Sequence, residues 1–137
     1  MGQALKLKYF LAGLLAIIVT GFFYIDFHYS SSNPAPFYTD LTLHFLGGIF
    51  VTALAVYLLI INKITLSNNR LVNAILLVSI ATFIGVLWEF YEYEVAAFAL
   101  KQHDPVDDTL SDILMDMLGG TAFALFYKLK ALIPDSK

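Results

Sequence analysis

Cysteine is absent from this sequence, which removes disulfides, thiolate nucleophiles, Cys-ligated zinc and iron–sulfur clusters from consideration. Charge is scarce as well: Asp, Glu, Lys and Arg make up 14% of the residues, and the only arginine is Arg70. With a net charge of -3 there is no basic surface for nucleic acid. The chain has no GxxxxGK[ST] loop of the kind that cradles nucleotide phosphates, no internal repeat and no low-complexity tract.

What the chain does have is apolar surface. Of its 137 residues, 59% are hydrophobic and 15% aromatic, and the mean hydropathy is +0.75, against roughly 45–50% apolar and 25% charged in soluble domains. This is the composition of an all-α integral membrane protein. A crossing takes roughly 20 residues of helix, so the length suits one transmembrane domain, residues 1–137, built as a four-transmembrane-helix bundle. The apolar runs place the spans at about 9–25, 41–61, 71–94 and 109–133, the third projecting beyond the bilayer. Lys6 and Lys8 before the first run resemble a signal-peptide start, but Phe22, Phe23 and Tyr24 stand where a small-residue cleavage site belongs, so the run is expected to be a retained span.

Turn signals separate the runs: Ser30, Ser31, Ser32, Asn33, Pro34 and Pro36 after the first, Asn62, Ser67, Asn68 and Asn69 after the second, Asp104 and Pro105 after the third. Thr109 with Asp112 has the spacing of a capping box for the fourth helix, and Thr39 or Asp40 is placed to cap the second. Lys6, Lys8, Lys63, Arg70, Lys128, Lys130 and Lys137 fall on one side of this topology and only Lys101 on the other. The positive-inside rule then puts both termini in the cytoplasm, N-in/C-in, across the inner membrane.

In that orientation ten of the eleven acids lie in the outer half of the bundle, Asp135 alone being cytoplasmic. Their spacing is helical. Asp40 and His44 are four apart, Glu89 and Glu92 three, and Asp108, Asp112 and Asp116 four and four, so each set shares one helix face. Asp116 lies about 12 Å deeper along its helix than Asp108 and cannot be a rim residue. A carboxylate facing lipid at that depth costs on the order of 2.5–3.5 kcal/mol, which turns such groups toward a bundle interior or a watery cavity. The three faces are therefore expected to meet in an outward-facing polar pocket with Asp116 at its floor. Carboxylates so crowded must share protons or share a cation, and an oxygen-rich set with one imidazole suits Mg²⁺, Mn²⁺ or Ca²⁺ better than Zn²⁺.

Simpler roles exist for several of these residues. Asp108 can be a solvated helix cap and Asp112 a capping-box partner, whereas Asp116 has no such explanation. Glu89, beside Trp88, can be an interfacial residue; Glu94 lies about 140° around the helix from it and belongs in solvent. His44 is either a clamp to Asp40 or a ligand, and Tyr91 could turn its hydroxyl into the pocket. His28 and His103 have no supporting spacing. Gly47, Gly48, Gly119 and Gly120 are most simply close-packing positions between helices.

Three stretches, DLTLHFLGG (40–48), GVLWEFYEY (85–93) and DTLSDILMDMLGG (108–120), together resemble the small bacterial inner-membrane proteins of the YjdF type. More loosely, they resemble the VanZ-like proteins linked to glycopeptide resistance, which carry Asp-x3-His in one span and acids before a Gly-containing final span. The resemblance covers about residues 37–125. It implies a functional set of Asp40, His44, Glu89, Glu92, Asp108, Asp112 and Asp116, and supplies no reaction.

Three functions fit. The first is a metal-dependent membrane enzyme acting on a lipid or cell-envelope precursor, with Glu89, Asp112 and Asp116 holding the cation and His44, oriented by Asp40, as general acid/base. Arg70 lies on the opposite side, so a phosphate there would be held through metal alone. The second is a proton or cation transporter, for which four spans call for a homo-oligomer. The third is a non-catalytic accessory protein whose polar network fixes helix packing.

Overall fold

The structure is a computed structural model that describes residues 2–28, 37–98 and 105–127. Four helices account for them, α1 (Gly2–His28), α2 (Phe37–Ile61), α3 (Arg70–Phe98) and α4 (Val106–Phe126), with no strand among the described residues. All four are long and apolar enough to cross a membrane, which is the all-α four-helix bundle expected. The shortest, of 21 residues, spans about 32 Å, enough for a hydrocarbon core of roughly 30 Å. The 29 residues of α3 exceed it and are accommodated by tilt or projection. Large apolar side chains such as Phe23, Phe83, Phe90 and Leu125 are exposed on the outer faces, as they should be where acyl chains are the solvent.

α2 is the hub, packing against α1, α3 and α4, and α4 also packs on α3. The seam is built from residues four apart. On α3 it is Asn73, Leu77, Ala81 and Gly85; on α4 it runs Asp112, Asp116, Gly120 and Ala124; on α2 His44, Gly48, Thr52 and Val56 are all buried. Two of the polar seam residues satisfy themselves locally: Thr52 Oγ1 donates to the Gly48 carbonyl at 2.9 Å, and Asn73 Nδ2 donates to the Ser67 carbonyl at 2.8 Å. A cluster of Leu7, Leu11, Ala53, Val56, Leu66 and Leu77 fills the end of the bundle away from the acids.

The helix ends depart from the capping expected. α2 already runs at Phe37, so Thr39 and Asp40 lie in its first turn instead of capping it. α4 starts at Val106 behind Pro105, whose φ is -61°, and no side chain caps it. Proline pre-sets the helical φ, so the helix opens before Thr109, and Asp107 and Asp108 stand in a first turn where the helix dipole favours negative charge. Thr109 and Asp112 are thereby released from a capping box. Asn69 caps α3, its Oδ1 accepting from the Leu71 N–H at 2.9 Å. α2 closes with Lys63 at a positive φ of 54° and the Ile64 N–H donating to the Leu59 carbonyl at 2.9 Å, the Schellman arrangement in a position usually held by glycine. The 30–36 turn, Asp104 and the expected end of the fourth span at 128–133 lie outside the described residues.

Candidate functional site

The acids and the histidine meet because three seams end in them. Asp40 and His44 continue the α2 seam by four-residue steps, Glu89 continues that of α3 one step beyond Gly85, and Asp108, Asp112 and Asp116 begin that of α4. α2 and α4 approach each other closely at glycine: a Cβ on Gly48 would overlap the Asp116 backbone carbonyl, and one on Gly119 would overlap that of Phe45. That contact sets Asp116, the central residue of α4, level with His44.

His44 is the centre of the cluster. It is 5% exposed, and Asp112 and Asp116 are 4% and 5% exposed. Its Nδ1 lies 3.2 Å from Asp116 Oδ2. Its Nε2 faces the other way, 3.7 Å from Glu89 Oε1 and 4.0 Å from Asp112 Oδ1 and from Asp40 Oδ1. An ionised carboxylate only accepts, so the bond to Asp116 requires the proton on Nδ1. In the neutral imidazole that leaves the Nε2 lone pair directed at the other three acids.

The 3.7 and 4.0 Å separations are too long for hydrogen bonds. His44 Nε2, Glu89 Oε1 and Asp112 Oδ1 are buried with no hydrogen-bond partner, a state that costs about 1–3 kcal/mol per group if nothing meets it. Two ligands each about 2.1–2.5 Å from one ion stand roughly 3–5 Å apart, so these separations suit a shared cation. Ligating atoms of Asp40, His44 and Asp112, and of His44, Glu89 and Glu92, lie within 4.8 Å of one another. The Asp116–His44 pair on the far side has the form of a carboxylate that orients a ligating imidazole.

Most of the set anticipated from sequence is brought together, with its members on different sides of the imidazole. Asp116 faces Nδ1, while Asp40, Glu89 and Asp112 face Nε2. Glu92 is half-buried beside them and Asp108 half-buried nearer the start of α4. Tyr91 is not brought in: two residues on from Glu89, about 200° around the helix, it is 58% exposed and packs on Trp88 with ring centroids 5.4 Å apart. Sequence reasoning missed one contributor, Gly85. A Cβ on Gly85 would sit 2.9 Å from Asp116 Cγ, so the missing side chain makes room for that carboxylate. The four-residue step from Gly85 to Glu89 was the available signal.

Fold and site together define a multi-pass membrane protein with a buried cluster of histidine and carboxylates. The chain belongs to the family described as predicted membrane protein (DUF2238), whose model matches residues 1–131. The YjdF-type resemblance is consistent with that membership, and the match extends beyond residues 37–125 to include α1. No curated protein and no solved structure matches the chain.

Proposed function

We propose that the cluster is a divalent-cation centre, and that the protein is a metal-dependent membrane enzyme acting on a lipid or cell-envelope substrate. The observation that carries this is that His44 Nε2, Glu89 Oε1 and Asp112 Oδ1 are buried and unpartnered, with each carboxylate oxygen at a ligand-like separation from the imidazole nitrogen and two candidate ligand sets, Asp40–His44–Asp112 and His44–Glu89–Glu92, sharing the histidine. In this reading those atoms ligate, Asp40 and Glu92 complete the open side, and Asp116 is a positioning residue that holds the imidazole by Nδ1. Oxygen donors with one imidazole favour Mg²⁺, Mn²⁺ or Ca²⁺. A bound cation would polarise a phosphoryl or acyl oxygen, and Glu92, half-buried at the edge, is placed to exchange a proton with substrate or water. The apolar cluster at the other end, Leu7, Leu11, Ala53, Val56 and Leu77, favours a site open to one face over a conduit through the bundle.

Calorimetric titration of the purified protein with Mn²⁺ and Mg²⁺ tests the centre. Binding is expected in the wild type and at least tenfold weaker in Asp112→Asn and Glu89→Gln. Asp116→Asn is expected to weaken it about 10–100-fold, as for other residues behind a ligand. Its amide can donate to Nδ1 and so move the imidazole proton onto Nε2, where it blocks ligation. Wild-type protein that takes up neither ion would end the cation reading.

The distribution of basic residues supports an orientation in the inner membrane with both termini cytoplasmic, which directs the acid end of the bundle outward. Since the chain has no cysteine, a single Ser67→Cys variant gives a clean reporter. A membrane-impermeant maleimide is expected to label it in inverted vesicles and not in intact spheroplasts; the opposite pattern would reverse the topology.

A further inference from the structure

A second feature abuts the same histidine. Between α1, α2 and α3 lies a cavity of about 320 Å³ whose walls include Leu15, Val19, Phe50, Val51 and Ile84, with His44 and Asp116 at its polar end. It runs parallel to the helices. Leu43 and Trp88 line it at the level of the acids, whereas Leu15 and Ile84, which stand at the midpoints of α1 and α3, line its far end. From Leu43 to Val51 the α2 wall is about 12 Å long, most of one leaflet of a hydrocarbon core roughly 30 Å thick. Its volume is on the order of twice that of a ~150 Å³ apolar cavity that holds one benzene.

The geometry points to a binding site for one acyl chain of a membrane amphiphile, the chain descending from the level of His44 toward the middle of the bilayer and the head group lying at the acid end. Three features single out this occupant. The walls are apolar for their whole length except at one end. That end lies toward the C-terminus of α1 and the N-terminus of α2, and the far end at the midpoints of α1 and α3, so the polar group of a lipid would lie nearer the helix ends than its chain does. Moreover, the cavity lies within spans whose surrounding solvent is itself acyl chain, so a chain enters without crossing water. The Phe22 and Trp88 rings, centroids 5.3 Å apart, close the gap between α1 and α3 at the head-group level. With no arginine at this end and carboxylates on three helices, an anionic head group would be met through the cation, and that half of the inference rests on the cation-centre reading. The chain site stands on the cavity alone.

Trp88 is the only tryptophan and lines the cavity, so its fluorescence reports on what enters. Detergent-purified protein would be titrated with 4,5-dibromostearate, whose bromines lie near the head group, at the level of Trp88, and quench indole on contact. Val51→Phe and Val19→Phe, filling the cavity from opposite walls, would be titrated alongside, and Mn²⁺ binding would be followed on the same samples by electron paramagnetic resonance. The expected result is quenching that saturates at equimolar probe in the wild type. In both variants it should be about tenfold weaker or more, the effect of excluding two methylenes, with Mn²⁺ binding retained. Quenching that rises linearly with probe, or that is the same in wild type and both variants, reflects lipid on the outer surface of Trp88 and overturns the chain site. Saturable quenching in a wild type that binds no Mn²⁺ keeps the chain site and removes the cation centre.

Discussion

His44→Ala is expected to cost the bundle about 3–5 kcal/mol, the scale for removing one partner from a buried ionic or hydrogen-bonded group, and to abolish measurable Mn²⁺ binding. The imidazole touches Asp116 through Nδ1 at 3.2 Å and stands between that carboxylate and those of Glu89, Asp112 and Asp40 at 3.7 to 4.0 Å. Without it, carboxylates from three helices face one another in a low-dielectric interior and lose the imidazole that stands between them. Thermal melting in detergent reads the stability loss. A second substitution gives the argument a sharper edge: in His44→Ala/Asp116→Asn one negative charge is also removed, so the double variant should melt higher than the two single losses added together. Strict additivity would show that the two residues are not coupled. A His44→Ala protein that melts like the wild type would show that the cluster plays no part in holding the bundle.

Gly48→Val and Gly119→Val are expected to be nearly as damaging for a different reason. At both positions the atoms in the way are backbone, the Asp116 carbonyl in one case and the Phe45 carbonyl in the other, with the Ile49 nitrogen at 3.0 Å from a Cβ on Gly119. Backbone cannot change rotamer, so α2 and α4 must move apart, and overpacking of this kind costs about 3 kcal/mol or more, roughly 10 °C in melting temperature for a chain of this size. The same movement would carry Asp116 away from His44, so cation affinity should fall with stability. Gly47→Ala supplies the contrast. Its Cβ would meet only Asp116 Oδ1 at 3.5 Å, an ordinary contact, and both properties should stay near wild type. Equal tolerance at Gly47 and Gly48 would refute the close approach of the two helices.

Much of the polar site was legible because helical periodicity is a local property. Asp108, Asp112 and Asp116 share a face whatever the tertiary arrangement, and the cost of exposing Asp116 to lipid turns that face inward. The same arithmetic also misled where two local signals compete. Thr109 and Asp112 have capping-box spacing, but Pro105 opens the helix earlier and frees both for the interior. Tyr91 was grouped with its neighbours Glu89 and Glu92 although two residues of helix carry it to another side.

Composition, the four apolar runs and the four-residue spacing of the acids are enough, without coordinates, to define a membrane bundle with a buried carboxylate and histidine face. Tertiary structure alone decided which atom meets which: that Asp116 takes Nδ1, that Glu89, Asp112 and Asp40 converge on Nε2, that Gly85 makes room for a carboxylate, and that an apolar cavity ends on the same imidazole. Residue spacing determines the angular position of a side chain on its own helix. The depth and rotation of one helix against another are set by the packing surface between them, here the approach of α2 to α4 at Gly48 and Gly119, and that quantity belongs to no single segment of the chain.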